Sequence, residues 1–284
     1  MVQKKFQELD LTDAFLFAAA LEDAETCQLV VELILGRPVG PVMVQVERSM
    51  LYAKDFRYVR FDVFASDEMK VSYDLEMQNG HKAELPKRAR FHQAEMDATF
   101  LKPGAKFQDL PESFIVFMCT FDPFHAKKYR YTYREVCKET GEELGDGSCK
   151  IFLNTKGTNK QEVPQELIHF LRYIENSTEA CAEEMQDDRI RKLNQKVAAL
   201  KKSRRLEESY MTMQEMLDDR AAEERAKALA EGEVKGRAEG SAEGSARMLA
   251  LVNAMIKDGF TADIARLNDD VEFCEQMLQK YHLN

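Results

Sequence analysis

The sequence predicts an α/β fold: a mixed β-sheet core flanked by helices, followed by a helical C-terminal extension. Three observations lead there. Short strand-period segments alternate with helix-period segments as far as residue 163. A continuous apolar, β-rich run, Phe114 to Phe121, suits a strand covered on both faces. From Pro164 onward helical pattern dominates, with dense charge and few breakers until residue 232.

The elements follow in order. Thr12 and Asp13 are good helix caps before Phe15, Ala18 and Ala19, and a second helical stretch, Glu25 to Leu35, stops at Gly36 with Pro38 beyond. Val42 to Val46 is a short extended candidate. Tyr58 to Phe64 and Val71 to Gln78 alternate with strand period, separated by the polar turn Ser66-Asp67-Glu68. Pro86 opens a helix that closes at Pro103-Gly104. Phe91, Ala94, Ala98 and Leu101 make its expected apolar face, and His92 reads as a surface histidine. Tyr129 to Val136 and Ile151 to Asn154 complete the strands.

Four segments are expected: a core over 1–163, a helical extension packing on core or partner over 164–231, a glycine-repeat linker over 232–247, and a small helical tail over 248–284. Ile190, Leu193, Val197 and Leu200 mark two heptads of a seam, but Arg204 and Glu207 take the next seam positions and the pattern stops short of a coiled coil. Gly232, Gly236, Gly240 and Gly244 recur every fourth residue, each costing a helix about 1 kcal/mol relative to alanine.

Composition narrows the function classes. The longest apolar run is far short of the roughly 20 residues of a membrane span, and the N-terminus shows no apolar signal region behind its lysines. Six cysteines are scattered with no CxxC pair, which argues against a zinc site and a disulfide framework and for a reducing, cytoplasmic setting. A net charge of −10 opposes a broad nucleic-acid face. The acid sits largely at the ends: residues 51–150 hold 16 Lys+Arg against 17 Asp+Glu, and His81 to Arg90 is locally +3. A narrow groove is compatible with that distribution; a broad basic face is not.

The chemistry concentrates on two strands. Successive strand residues point to opposite faces, so Ser72, Asp74, Glu76 and Gln78 form a polar row and Val71, Tyr73, Leu75 and Met77 an apolar one. If the preceding strand pairs as a hairpin, Asp62 faces that polar row. Converging carboxylates repel, and a hard cation such as magnesium removes the conflict while taking phosphate oxygens as further ligands. An ordinary half-exposed strand with its polar face in water fits the alternation too, so the pattern leaves both readings open.

An Asp on one strand, Glu-x-Gln on the next and then a basic helix resembles the PD-(D/E)xK nuclease superfamily. The order LTDAFLF, VRFDVFASDE, DLEMQ, LPKRARFHQAEMD, LPESFIVFMCTFDPF and IFLNTKG, spanning roughly residues 10 to 230, closely resembles its recombination-promoting nuclease (transposase) family in the Firmicutes-like form. The resemblance implies a restriction-endonuclease-like fold and a Mg²⁺-dependent (or Mn²⁺-dependent) DNA endonuclease linked to recombination or mobile elements. It implies catalytic roles for Asp62, Glu76 and Gln78, with Asp62, Glu76 and the Met77 backbone carbonyl as metal ligands. Asp74 and Asp13 take supporting positions, and Lys87, Arg88, Arg90 and Gln93 on the following helix are candidates to meet DNA. Gln78 stands where the wider superfamily has lysine, and an amide orients water or phosphate without charge. The alternative reading is a nuclease-fold interaction protein, a homo-oligomer through its C-terminal helices, whose site is weak or dormant. A transposase with an RNase H-like core finds no support, because no second wide-spaced acidic pair precedes a helix-turn-helix.

Overall fold

The computed structural model describes residues 4–49, 60–67, 71–80, 84–101 and 103–283, with the side chains of residues 46–49, 60–64 and 67 outside the description. A six-stranded mixed sheet forms its centre. The strands are β1 (Val42–Ser49), β2 (Arg60–Asp67), β3 (Ser72–Gln78), β4 (Ser113–Cys119), β5 (Arg130–Tyr133) and β6 (Ser148–Asn154), in spatial order β1-β2-β3-β4-β6-β5. β1, β2 and β3 run antiparallel to one another; β3, β4 and β6 are parallel; β5 closes the far edge antiparallel to β6. The helices of the first half are α1 (Ala14–Leu21), α2 (Ala24–Leu35) and α3 (Leu85–Phe100), the last being the crossover that parallel β3 and β4 require. β2 runs further than the alternation suggested, taking in Ser66 and Asp67 from the expected turn; the other turn residue, Glu68, and the strand start expected at Tyr58 lie outside the described residues.

β4 is the central strand. All seven of its residues are buried, as its unbroken apolar run requires. On one sheet face, Ile115, Phe117 and Cys119 of β4 and Phe152 of β6 pack with Leu85, Ala89 and Met96 of α3. α1 lies against β2 and β3, and α2 against β1. α2 ends as its sequence predicts: Gly36 takes φ 69°, a conformation open to glycine, and returns its N–H to the Glu32 carbonyl at 2.8 Å.

α4 (Gln165–Glu175), α5 (Glu179–Glu184) and α6 (Asp188–Lys201) extend the same compact unit, which runs from Met1 to Tyr210. The compositional change at Pro164 is therefore not a break in packing. α4 buries Leu167, Phe170, Leu171, Tyr173 and Ile174 and packs on α2, while α6 packs on α1, α2, α4 and α5. The Ile190, Leu193 and Val197 seam is fully buried in this unit and is used within the chain.

The second unit, Met211–Asn284, is helical. It holds most of α7 (Arg204–Lys257), then α8 (Arg266–Asp269) and α9 (Val271–Lys280). Its small core joins Leu251 and Met255 of α7 to Leu267 and Met277. The glycine repeat lies within α7, exposed along its length, and a Cβ at any of the four glycines would meet open space.

Asp13 caps α1, accepting from the backbone N–H groups of Phe15 (3.0 Å) and Leu16 (3.2 Å). Burial, opposed by these two hydrogen bonds, raises its carboxyl pKa. We expect Asp13→Ala to lower unfolding free energy by about 1 kcal/mol in urea denaturation, and Asp13→Asn, which keeps the acceptor, to lower it less. An alanine variant as stable as the parent would show that the cap contributes nothing.

Candidate functional site

The polar row of β3 is buried. Asp74 is 0% exposed, Glu76 5% and Gln78 6%. Two carboxylates removed from water at neighbouring positions on one strand face must be neutralised, because an uncompensated buried charge costs several kcal/mol. α3 does this with His92 and Arg88, one helical turn apart.

His92 bridges both acids. Its Nδ1 lies 2.7 Å from Asp74 Oδ2 and its Nε2 2.9 Å from Glu76 Oε1. A ring with a carboxylate at each nitrogen donates from both, so it is the imidazolium form that fits. Burial alone would depress its pKa, but the hydrogen bonds and charges of Asp74 and Glu76 outweigh burial and push it up to about 9. Arg88 completes the network, donating from Nη2 to Glu76 Oε2 at 2.7 Å and from Nη1 to Gln78 Oε1 at 2.6 Å. Its guanidinium also sits 5.3 Å from the centre of the Phe117 ring. The Gln78 amide nitrogen donates to the Gly80 carbonyl at 2.6 Å, which fixes which end of the amide faces Arg88.

This arrangement reverses the expected orientation of α3. Phe91 is 55% exposed, and Ala94 and Ala98 face solvent with it. The buried face is Leu85, Ala89, His92, Gln93 and Met96. Burying one phenylalanine yields about 1.5–3 kcal/mol, less than leaving two carboxylates unpaired would cost. His92, read from sequence as a surface residue, is thus a buried member of the site at 4% exposure. Leu85, Ala89 and Met96 recur at i, i+4 and i+11, and His92 at i+7 falls on the same stripe; that spacing was the available signal.

The other expected residues are placed unequally. Asp62 lies on β2, where the ladder to β3 pairs Val63 with Leu75 and Phe64 with Asp74. The residues next along from the Val63–Leu75 pair are Asp62 and Glu76, but the Asp62 side chain lies outside the described residues. Met77 stands between Glu76 and Gln78, half-buried. Asp13 is tied near the end of β3, since the Asn79 amide donates to the Thr12 carbonyl. Lys87 and Arg90 are exposed on α3. Gln93 is not: it is 9% exposed, and its amide nitrogen donates to Ser113 Oγ (2.7 Å) and Asp97 Oδ1 (2.9 Å). It is in no position to meet a nucleic acid as the helix stands.

One ligand atom each from Asp74, Glu76 and His92 lies within 4.8 Å of the others. Two hard oxygens and an imidazole nitrogen are a donor set that fits a divalent cation. The same atoms are also satisfied as an ion-pair network, so cation and His92 proton compete for the Glu76 carboxylate.

Because folding raises the His92 pKa from its usual value near 6.5 to about 9, its stabilising contribution is complete below 6.5 and disappears as pH rises through 9. In metal-free buffer, unfolding free energy should fall across that window and the corresponding slope should be absent in His92→Gln. His92→Ala, which removes the cation between Asp74 and Glu76, should cost about 3–5 kcal/mol at pH 7. A parent protein with flat stability between these pH values would refute the charged bridge.

The geometry can be set beside known proteins. No curated protein and no solved structure gives a significant match. A family model described as PD-(D/E)XK nuclease family transposase matches residues 47–226, more than half of the chain. The match takes in β2 to β6 and α3, and so includes Asp62, Glu76, Gln78, Arg88 and His92. It accounts for the mixed sheet with flanking helices as the restriction-endonuclease-like fold. The chain belongs to the PD-(D/E)XK nuclease family of transposases.

Proposed function

We propose that the protein is a Mg²⁺-dependent DNA endonuclease, hydrolysing phosphodiester bonds at the polar face of β3, with Mn²⁺ an acceptable substitute. The observation that carries this reading is the convergence of Asp74 and Glu76 of β3 with His92 and Arg88 of α3 in a chain of nuclease family. Glu76 and Asp62, with the Met77 backbone carbonyl, would hold the cation, and Asp74 would fix His92 and through it the Glu76 carboxylate. When bound there, a divalent cation polarises the phosphoryl group and lowers the pKa of a water able to attack it. His92 and Arg88 lie against the Glu76 carboxylate, and neighbouring positive charge favours the charged form of a metal-binding carboxylate. Lys87 and Arg90, exposed on α3, suit contact with the DNA backbone. Work in recombination or on mobile elements, and a cytoplasmic setting, complete the proposal; among the described residues no helix is long and apolar enough to cross a membrane.

A second reading is favoured by one observation: the described carboxylates of the site already have side-chain cations, and Gln78 adds no charge. On that reading the site is dormant and the protein acts by interaction, assembling through its C-terminal helices. Supercoiled plasmid with Mg²⁺ separates the two. Nicking by the parent protein, reduced at least about 100-fold in Asp62→Ala and Glu76→Ala, together with calorimetric Mg²⁺ binding that vanishes in Glu76→Ala, supports the endonuclease. No nicking and no Mg²⁺ binding would leave the interaction reading, for which a monomeric mass of the full chain would be fatal.

A further inference from the structure

We propose that Arg88 is the catalytic cation of this site, contacting the scissile phosphate, and that Gln78 acts as its holder. This rests on the endonuclease reading above. In phosphoryl transfer, negative charge spreads over the phosphate oxygens, and preorganised cations that meet it lower the barrier. Gln78 cannot supply charge, and both ends of its amide are engaged: the nitrogen with the Gly80 carbonyl, the oxygen with Arg88. What Gln78 offers is an acceptor, and the group that takes it is a guanidinium.

Arg88 is held on three sides. Gln78 Oε1 and Glu76 Oε2 accept from separate Nη atoms, and the Phe117 ring lies 5.3 Å from its centre. A planar fork fixed in this way loses little further freedom when it meets a phosphate. These bonds use only part of its N–H donors. Access separates it from the other cation of the site: the Arg88 side chain is 32% exposed, His92 only 4%. His92 is enclosed between two acids and acts on their position; Arg88 reaches from Glu76 to the surface. Lys87 and Arg90 are exposed on the same helix, which suits them to the DNA backbone.

The test is charge relocation. Plasmid nicking with Mg²⁺ is measured for the parent, Arg88→Ala, Gln78→Lys with Arg88→Ala, and Arg88→Gln, with thermal melting of each. Duplex binding is followed by fluorescence anisotropy in Ca²⁺. Arg88→Ala should lose about 100-fold in kcat with duplex affinity little changed, and the added lysine at position 78 should restore about tenfold or more. A purely structural Arg88 would not be rescued by a lysine on another strand. Should Arg88→Ala fail to fold, Arg88→Gln, which keeps donors without charge, takes its place and should show the same loss. Nicking by either uncharged variant at the parent's rate overturns the assignment while leaving the endonuclease standing, and so does a loss that Gln78→Lys fails to restore. A parent protein that does not nick at all removes the endonuclease reading and the Arg88 role together.

Discussion

Two carboxylates on a buried strand face constrain most of what surrounds them. Asp74 and Glu76 sit on β3, between the antiparallel half of the sheet and the parallel half, almost wholly withdrawn from solvent. Their charge is met from above by α3, and the helix must turn His92 and Arg88 inward to meet it. That choice sets the rotation of α3, the residues that cover β4, and the exposure of Phe91. A cation–carboxylate network of this kind is weak evidence for stability, since an apolar substitute of similar volume often does as well.

The apolar half of the fold is consistent with this. β4 is buried along its whole length, and α1, α2, α4 and α6 pack together, with Phe17, Val30, Phe170 and Val197 among their residues nearly inaccessible to solvent. That side bears the ordinary work of burial, roughly 25 cal/mol per Å² of apolar surface. The α3 side mixes Leu85, Ala89 and Met96 with charged groups. The side facing α3 thus combines packing with chemistry, and its polar members are fixed by bonds of 2.6 to 2.9 Å.

How much of this was legible in the sequence differs by element. The alternation Ser72, Asp74, Glu76, Gln78 against Val71, Tyr73, Leu75, Met77 is local and strict, and the two faces of β3 follow from it directly. The apolar run at Phe114 made β4 a covered strand for the same reason. α3 was harder because two stripes of similar hydrophobicity compete on it, Phe91-Ala94-Ala98 and Leu85-Ala89-Met96. The deciding term is the demand of Asp74 and Glu76 for partners, which is tertiary and becomes visible only when α3 is placed over β3. The extent of the first unit was hidden similarly: α4 to α6 look different in composition yet bury Tyr173 and Leu193 as deeply as the sheet buries Phe117.

Gln78 and Arg88 are best understood as one choice. Among the described side chains the site balances two carboxylates against one imidazolium and one guanidinium. A lysine at position 78 would add a third positive charge beside Arg88 in a buried setting, where like charges at hydrogen-bonding distance repel strongly. An amide there avoids the repulsion and offers an oxygen at 2.6 Å from Arg88 Nη1. Arginine on the helix and glutamine on the strand are therefore mutually compatible, as arginine and lysine would not be. A chain with a net charge of −10 gains little from a diffuse basic surface in approaching DNA. Its leverage on a phosphate lies in where one cation is held, and Glu76, Gln78 and Phe117 hold Arg88 at the edge of the buried row.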